Sequence, residues 1–217
     1  MRTLSFRDAV TQFVGYRSPK LLLFISMSAF VFRLVEPSPL GLLDACIAIG
    51  IVLYWPVQEW WMHRWLLHLP AVTIGSKTFE PAFARDHKRH HRFPNDMEYT
   101  LLPVSQIVRA GIFYFGLGLL LFQSVSAAST LLSIAALMTL AYEWTHYLTH
   151  TTYKPRSAYY RKIWKLHRWH HYKNEHFWFS FTVPYIDGWL GTGPNPKEVP
   201  KSKSVRDLDM SNKSATS

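Results

Sequence analysis

Histidine is concentrated in one part of this sequence and follows a repeated pattern. All eleven histidines lie between His63 and His176, and ten of them form four clusters. The first and third clusters are pairs, and the second and fourth share the pattern His-x-x-His-His. The clusters are His63 and His68; His87, His90 and His91; His146 and His150; and His167, His170 and His171. Closely spaced imidazoles of this kind are typical of metal ligands.

Helical geometry decides which of these imidazoles can converge. Residues three and four apart share one face of a helix, so His146 and His150 can point at one ion. Each His-x-x-His-His turn can serve one ion or two adjacent ions. A spacing of five puts His63 and His68 about a third of a turn off a common face, so this pair needs a helix end or two different ions. Ten imidazoles exceed the capacity of one ion, and two ions with about five ligands each fit the count.

The remaining composition limits the kind of metal site. The single cysteine, Cys46, excludes an internal disulfide framework and a thiolate cage. An all-nitrogen ligand set suits iron, zinc, copper or nickel. A basic histidine-rich stretch can also be a lipid-headgroup patch or a pH sensor, but four clusters with ligand spacing favour metal binding. His176 stands outside the clusters and is assigned a structural role.

Three carboxylates near the clusters are candidates for supporting roles. Glu59 lies one turn before His63, Glu143 lies one turn before His146, and Asp86 directly precedes His87. Each is placed to accept the second N–H of a ligating imidazole and so to fix the orientation of the ring. The alternative is an ordinary charge at a helix end.

Long apolar segments must position these clusters. An uncharged run of 33 residues separates Arg109 from Glu143. As one helix it would extend ~50 Å, longer than a hydrocarbon core of ~30 Å, so we predict a hairpin that turns near Gln123 and Ser124. Two shorter runs, 21–32 and 40–55, flank a segment with two prolines and predict an earlier hairpin. Buried helices of a soluble bundle are the competing interpretation.

Four membrane segments in two hairpins define a topology. The N-terminus, residues 59–101 and everything after Glu143 then lie on one side of the membrane. Between Glu143 and His176 there are seven Lys or Arg against two Glu, a net charge of +5, whereas the turn near Gln123 is uncharged. The positive-inside tendency therefore places the histidine face and both termini in the cytoplasm. The predicted fold is an all-α integral membrane protein with a cytoplasmic helical cap that carries the histidines.

The flanks of the clusters resemble a known family. The stretches HHRFPND (His90 to Asp96), HHYKN (His170 to Asn174) and FTVPYIDGWLGT (Phe181 to Thr192) are similar to the fatty acid hydroxylase/sterol desaturase superfamily. The resemblance covers roughly residues 59–192 and is strongest to the fatty acid 2-hydroxylase branch. Bulky HFWFSF departs from the Gly-rich stretch of relatives, which affects the expected shape of the substrate channel.

The resemblance implies a membrane di-iron oxygenase that uses O2 to hydroxylate the alkyl chain of a lipid, with a fatty acyl group as the expected substrate. It implies all ten clustered histidines as ligands of two iron ions, with zinc as a substitute in purified protein. Asp187, which lies in the stretch FTVPYIDGWLGT, is also expected to be a supporting carboxylate, together with Glu59, Asp86 and Glu143. The N-terminal segment has no room for a cytochrome b5-like domain, so electrons are expected from a separate cytochrome b5-type or ferredoxin-type protein.

Other functions are compatible with parts of the pattern. A sterol or carotenoid hydroxylase or desaturase is the nearest alternative, and a metal-binding membrane protein without redox chemistry is the second. No nucleic-acid partner is expected. The predicted organisation is an N-terminal cytoplasmic segment (1–20), a membrane hydroxylase domain (21–196) and a polar, disordered tail (197–217), to which no chemistry is assigned.

Overall fold

The computed structural model describes residues 3–208 and is predominantly helical. The helices are α1 (Phe6–Phe13), α2 (Arg17–Val35), α3 (Leu42–Trp61), α4 (Ala82–Arg92), α5 (Met97–Thr100), α6 (Val104–Phe122), α7 (Val125–Thr149), α8 (Ala158–Tyr172) and α9 (Ile186–Trp189). A π-helical segment, Met62–Leu67, continues α3. Two short strands, β1 (Val72–Ile74) and β2 (Lys77–Phe79), pair in antiparallel fashion. The described chain divides into a helical unit (5–55 and 101–144) and a histidine unit (3–4, 56–100 and 145–208).

Four segments are long and apolar enough to cross a bilayer, as predicted. They are Arg17–Val35, Leu42–Leu67, Met97–Phe122 and Val125–Thr149. The predicted turn at Gln123 and Ser124 is confirmed, because α6 ends at Phe122 and α7 begins at Val125. Gln123 ends α6 in the left-handed conformation with φ of 49°. The first span starts at Arg17, a few residues before the predicted boundary at residue 21.

Polar contacts connect the helices of the helical unit. Ser26 and Ser133 exchange reciprocal hydrogen bonds, each hydroxyl donating to the other residue's carbonyl at 3.0 and 2.9 Å. Arg33 at the end of α2 forms a two-pronged ion pair with Asp44 near the start of α3, at 2.8 and 2.6 Å. Ser26, Ser133 and Arg33 are buried and Asp44 is half-buried, and these groups satisfy one another's hydrogen bonds. They hold α2 against α7 and fix the first hairpin.

A glycine sets the closest approach in the helical unit. A Cβ built on Gly118 of α6 would lie 2.6 Å from the Cα of Ala128 in α7. Ala128 is fully buried. Small residues at this crossing allow the two helices to touch through their backbones, which is how apolar helices pack where lipid already surrounds them.

Three features differ from the sequence prediction. The N-terminal segment contains a helix, α1, which Ser5 caps by accepting from the N–H of Asp8 at 3.1 Å. The strands β1 and β2 form a hairpin that a purely helical prediction missed. The predicted disordered tail is wrong for residues 197–208, because these residues make specific contacts with the histidine unit. Residues 209–217 lie outside the described part of the chain.

The histidine unit has its own small core. Leu166 of α8 packs with Trp178 and Val199, and all three side chains are buried. Trp178 has a positive φ of 60°, and its N–H donates to the carbonyl of Thr192 at 2.9 Å. This core fixes α8 against the loop that follows it.

Candidate metal centre

Ten histidines converge in the interior of the histidine unit and form two groups of five. In each group, one nitrogen of every ring lies within 4.8 Å of the corresponding nitrogens of the others. Group 1 contains His63, His68, His87, His91 and His170, and group 2 contains His90, His146, His150, His167 and His171. All are buried except the half-buried His68. The expectation of two groups with about five imidazoles each agrees with this arrangement.

The two His-x-x-His-His motifs are shared between the groups. Helix α4 directs His87 and His91 into group 1 but His90 into group 2. Helix α8 does the reverse, with His167 and His171 in group 2 and His170 in group 1. The rings of His91 and His171 stack at 4.1 Å between centroids, so the two groups are immediate neighbours.

The spacing of five between His63 and His68 is explained by the π-helical segment. Hydrogen bonds from i to i+5 widen the turn, so residues five apart come onto a common face. The segment Met62–Leu67 therefore brings both imidazoles into group 1. The sequence correctly indicated that an ordinary α-helix would not do this, but it gave no signal for the widened turn.

Hydrogen bonds to the outer nitrogens determine which ring nitrogen carries a proton. The Nδ1–H of His170 donates to the carbonyl of Phe177 at 2.8 Å, and that of His91 donates to the carbonyl of Val205 at 3.1 Å. A carbonyl oxygen only accepts, and a neutral imidazole has a single N–H, so the Nε2 atoms of both rings carry lone pairs. These two Nε2 atoms face each other at 3.1 Å. Two lone pairs at this distance repel unless a cation lies between them.

Burial keeps these rings neutral. For the group histidines that lie outside the membrane-spanning segments, burial is the main cause of a lowered pKa. Neighbouring imidazoles lower the pKa of most of these histidines further. The pKa of His91 falls from 6.5 to about 3. The others, all well below 6.5, are His68, His87, His90, His150, His167, His170 and His171. Protonation therefore does not relieve the repulsion near neutral pH, and the donor set fits metal ions.

His171 gives a second indication. It is fully buried, and neither of its ring nitrogens has a hydrogen-bond partner within residues 3–208. A buried polar ring without a partner is costly, so an unpaired imidazole inside a ring of other imidazoles is expected only where it binds a ligand.

A loop at residues 177–182 positions two of the imidazoles. The carbonyl of Phe177 accepts from the Nδ1–H of His170. The carbonyl of Phe179 accepts from the Nδ1–H of His63 at 2.6 Å. Asp187 holds the loop from one side by accepting from the N–H groups of Phe179 and Ser180 at 2.8 and 2.9 Å.

Glu59 holds the other end of the loop. It accepts from the N–H of Phe181, and Thr182 donates to it through both its N–H, at 2.9 Å, and its hydroxyl, at 2.8 Å. The prediction that Glu59 accepts directly from an imidazole is therefore corrected, because its bonds go to the loop. Glu59 and Asp187 thus both hold the loop whose Phe179 carbonyl accepts from His63.

The other two predicted carboxylates, Glu143 and Asp86, lie in different parts of the structure from the loop. Glu143 accepts from the hydroxyl of Ser18 and from the N–H of Leu102 at 2.6 Å, both within the helical unit. Its predicted bond to an imidazole is therefore replaced by helix-to-helix contacts. Asp86 is half-buried on α4 beside His87.

Aromatic side chains cover the inner faces of the imidazoles. Phe181 stacks on His63 of group 1 at 5.4 Å and also contacts His146 and His167 of group 2 at 4.8 and 4.2 Å. Phe179 packs against His63 and His170. These are the bulky residues of the HFWFSF stretch, and they make the interior of the centre apolar.

The C-terminal segment also reaches the centre, which the sequence analysis missed. The carbonyl of Val205 accepts from His91. Ser202 and Ser204 donate to the buried carboxylate of Glu175 at 2.9 and 2.5 Å, and the N–H of Ser202 donates to the carbonyl of Lys173 at 2.7 Å. Backbone carbonyls leave no signature in a sequence, so a polar stretch of Lys and Ser gave no indication of this role.

Fold and site together define an integral membrane protein with a buried pair of histidine groups suited to metal ions. A family model described as fatty acid hydroxylase matches residues 48–192, which include all ten clustered histidines. The chain belongs to the fatty acid hydroxylase family, in agreement with the resemblance seen in the sequence.

Two relatives illustrate the similarity. The ceramide very long chain fatty acid hydroxylase scs7 of Schizosaccharomyces pombe is 30% identical over 142 residues, which are 64% of this chain and 40% of that protein. The chain thus spans about two fifths of this curated relative. A solved structure described as full-length scs7p, with only the hydroxylase domain visible, superimposes with a TM-score of 0.65 at 21% identity. It covers 93% of this chain and 70% of the other, and shows the shared fold.

Proposed function

We propose that this protein is a membrane oxygenase that hydroxylates the alkyl chain of a lipid, with a fatty acyl group as substrate. The proposal includes two iron ions held by the ten clustered histidines and O2 as co-substrate. In this proposal, a separate cytochrome b5-type or ferredoxin-type protein supplies the electrons. The proposal places the histidine face and both termini in the cytoplasm, because the segments on this face are basic and the cytoplasmic leaflet is anionic.

The proposal rests on one observation, which is that the Nε2 lone pairs of His91 and His170 face each other. Both Nε2 atoms are unprotonated, buried and 3.1 Å apart. A cation between them removes the repulsion, and ten such nitrogens in two adjacent groups suit two ions. Imidazole ligands suit iron, zinc, copper or nickel, and membership of the fatty acid hydroxylase family favours iron.

The reaction needs a metal because an alkyl C–H bond has no proton that a side chain can usefully remove. Two bound iron ions supply the O2-dependent oxidation of such a bond, chemistry that belongs to the cofactor. The protein provides the ligands, the carbonyls of Phe177, Phe179 and Val205 that fix their tautomers, and an apolar lining from Phe179 and Phe181. This lining excludes water and suits an acyl chain.

The proposal is tested by measuring metal and product in the same preparations. The native protein, His170→Ala and His176→Ala are produced in membranes under aerobic, reducing conditions. Bound iron and zinc are quantified per chain, and extracted lipids are compared by mass spectrometry for the addition of one oxygen atom. His176 is an exposed histidine outside both groups, so His176→Ala is the matched control.

We expect about two irons per chain and a hydroxylated acyl species for the native protein and for His176→Ala. His170→Ala should stay in the membrane, lose metal and make no product, since the spans do not depend on this ligand. A hydroxylated sterol or carotenoid, or a desaturated lipid, would change the substrate or reaction assigned. Bound metal without any oxidised lipid would support a non-redox metal-binding protein instead.

A further inference from the structure

The β-hairpin formed by β1 and β2 exposes an apolar face. Its register pairs Val72 with Phe79 and Ile74 with Lys77, and Thr73 with Thr78. Side chains alternate along a strand, so the first two pairs share one face and the threonine pair occupies the other. The threonine hydroxyls contact each other at 3.1 Å. One face is thus apolar with a single lysine, and the other is polar.

This apolar face has no cover within residues 3–208. Val72, Ile74 and Phe79 are exposed at 52, 68 and 55% of their surface. A two-stranded hairpin alone is marginally stable in water and normally needs a surface to pack against. The apolar face therefore requires a partner that the described chain does not provide.

The base of the hairpin is firmly held. Glu80, directly after β2, forms an ion pair with Lys88 of α4 at 2.7 Å, and both side chains are largely buried. Gly75 adopts a positive φ of 62° at the turn, as a tight two-residue connection requires. The hairpin therefore projects from the histidine unit with its base attached to α4.

The chain itself places this projection near the membrane surface. The membrane-spanning segment Leu42–Leu67 ends five residues before Val72, and five extended residues reach at most ~18 Å. The end of that segment carries the exposed tryptophans Trp61 and Trp65, which are typical of the headgroup layer. Arg64 lies over the Trp65 ring at 4.9 Å.

We propose that the hairpin is a membrane-interface anchor whose apolar face lies on the lipid bilayer. Val72, Ile74 and Phe79 contact the upper acyl chains, Lys77 contacts the phosphates of the headgroups, and the threonine face is turned to water. The hairpin stays shallow, because both of its strand edges have unpaired N–H and C=O groups that cannot enter the hydrocarbon core. The anchor joins the segment that carries His68 to the helix that carries His87, so it ties two ligand-bearing elements to the bilayer surface.

Site-specific fluorescence distinguishes the two faces. In a Cys46→Ser background, single cysteines are introduced as Ile74→Cys and, for the matched control on the opposite face, Thr73→Cys. Each is labelled with an environment-sensitive dye, and the protein is reconstituted into bilayers that contain anionic lipid. Quenching by nitroxide-labelled lipid is compared with quenching by aqueous iodide. Phe79→Cys and Thr78→Cys form a second pair, in case one label disturbs the strand.

The expected result is an alternating pattern. Positions 74 and 79 should be quenched by the labelled lipid at least about twofold more than positions 73 and 78, with iodide giving the reverse order. Equal iodide access at all four positions would place the hairpin in water and overturn the proposal. Iodide protection at 74 and 79 without lipid quenching would mean a protein partner and would also overturn it. None of these readings depends on metal or hydroxylase activity, so they are independent of the proposed function.

Discussion

At the scale of single residues, the proposed metal centre is supported by groups that lie outside the two histidine groups. The carboxylate of Asp187 holds the N–H groups of Phe179 and Ser180 and also accepts from the hydroxyl of Thr192 at 2.7 Å. The carbonyl of Phe179 in turn fixes the Nδ1–H of His63. We propose that Asp187 is a positioning residue, because it holds Phe179, whose carbonyl accepts from the Nδ1–H of His63.

Asp187→Asn tests this control. The amide keeps the size of the side chain but brings an N–H₂ against backbone N–H donors, so one of these donors loses its acceptor. We expect metal affinity to fall by about 10- to 100-fold while the protein remains folded in the membrane. Chelator competition followed by metal analysis measures the change.

Glu98→Gln is the matched control, because Glu98 is an exposed carboxylate on α5. It should retain the native affinity. If the Asp187→Asn protein bound metal as tightly as the native protein, this result would contradict the positioning role of Asp187.

At the scale of elements, the C-terminal segment contacts a histidine of group 1 and a buried carboxylate near it in sequence. Truncation after Pro200 removes the carbonyl of Val205 that orients His91 and both hydroxyls that satisfy Glu175. We expect the truncated protein to lose at least about half of its bound metal, since a ligand orientation and a buried carboxylate lose their partners together. Metal per chain, measured after purification, reports the loss.

A longer truncation product provides the control. A chain that ends at Leu208 keeps the contacts of Ser202, Ser204 and Val205 within residues 3–208 and should bind metal like the full chain. Full metal content in the chain that ends at Pro200 would show that the segment is dispensable.

The crossing of α6 and α7 gives a prediction on stability. Gly118→Ala places a Cβ within 3 Å of Ala128, so we expect a destabilisation of about 1–3 kcal/mol. Gly116→Ala in the same helix is the matched control, because a Cβ there meets nothing within 4 Å. Helix propensity should make it neutral or slightly stabilising. Thermal unfolding in detergent compares the two, and equal melting temperatures would contradict the close packing.

The sequence was informative about elements that depend on side-chain pattern. Apolar length predicted the four spans. The turn at Gln123 was found because an uncharged run of 33 residues is too long for one span, whereas charges and two prolines marked the earlier hairpin. Histidine spacing suited two groups of about five imidazoles each but assigned no histidine to either group. The interleaving of His90 and His170 between the groups was not predicted, because it depends on how α4 and α8 face each other and not on either helix alone.

Backbone features escaped prediction for a different reason. The widened turn at Met62–Leu67 and the carbonyl of Val205 involve main-chain atoms that every residue type has. The sequence analysis gave Glu59 the nearest histidine in sequence as its partner. The partner is instead a loop more than a hundred residues away.

At the scale of the whole molecule, the buried imidazoles link stability to pH. Their pKa values in the folded protein lie below the ordinary 6.5, so below that pH the unfolded chain binds more protons than the folded chain. The metal-free protein should therefore be most stable above pH ~6.5 and lose stability as pH falls.

The measurement is a melting temperature in detergent after metal removal. Lowering the pH from ~7.5 to ~5.5 should reduce the melting temperature by at least about 5 °C. Metal-loaded protein should resist the change until protons displace the ions. A metal-free protein with a flat profile over this range would mean that these imidazoles are not buried in the neutral state.

The sharing of ligands between α4 and α8 has a consequence for biosynthesis. During translation, group 1 is complete only after His170 has been synthesised, and group 2 only after His171. The Nδ1–H of His91 has its acceptor only after Val205 has been synthesised. A nascent chain that already contains all four membrane spans therefore has neither site complete. On the proposed assignment, we expect both metal sites to be completed only after His171 has been synthesised, so products that stop earlier should stay in the membrane without a complete metal centre.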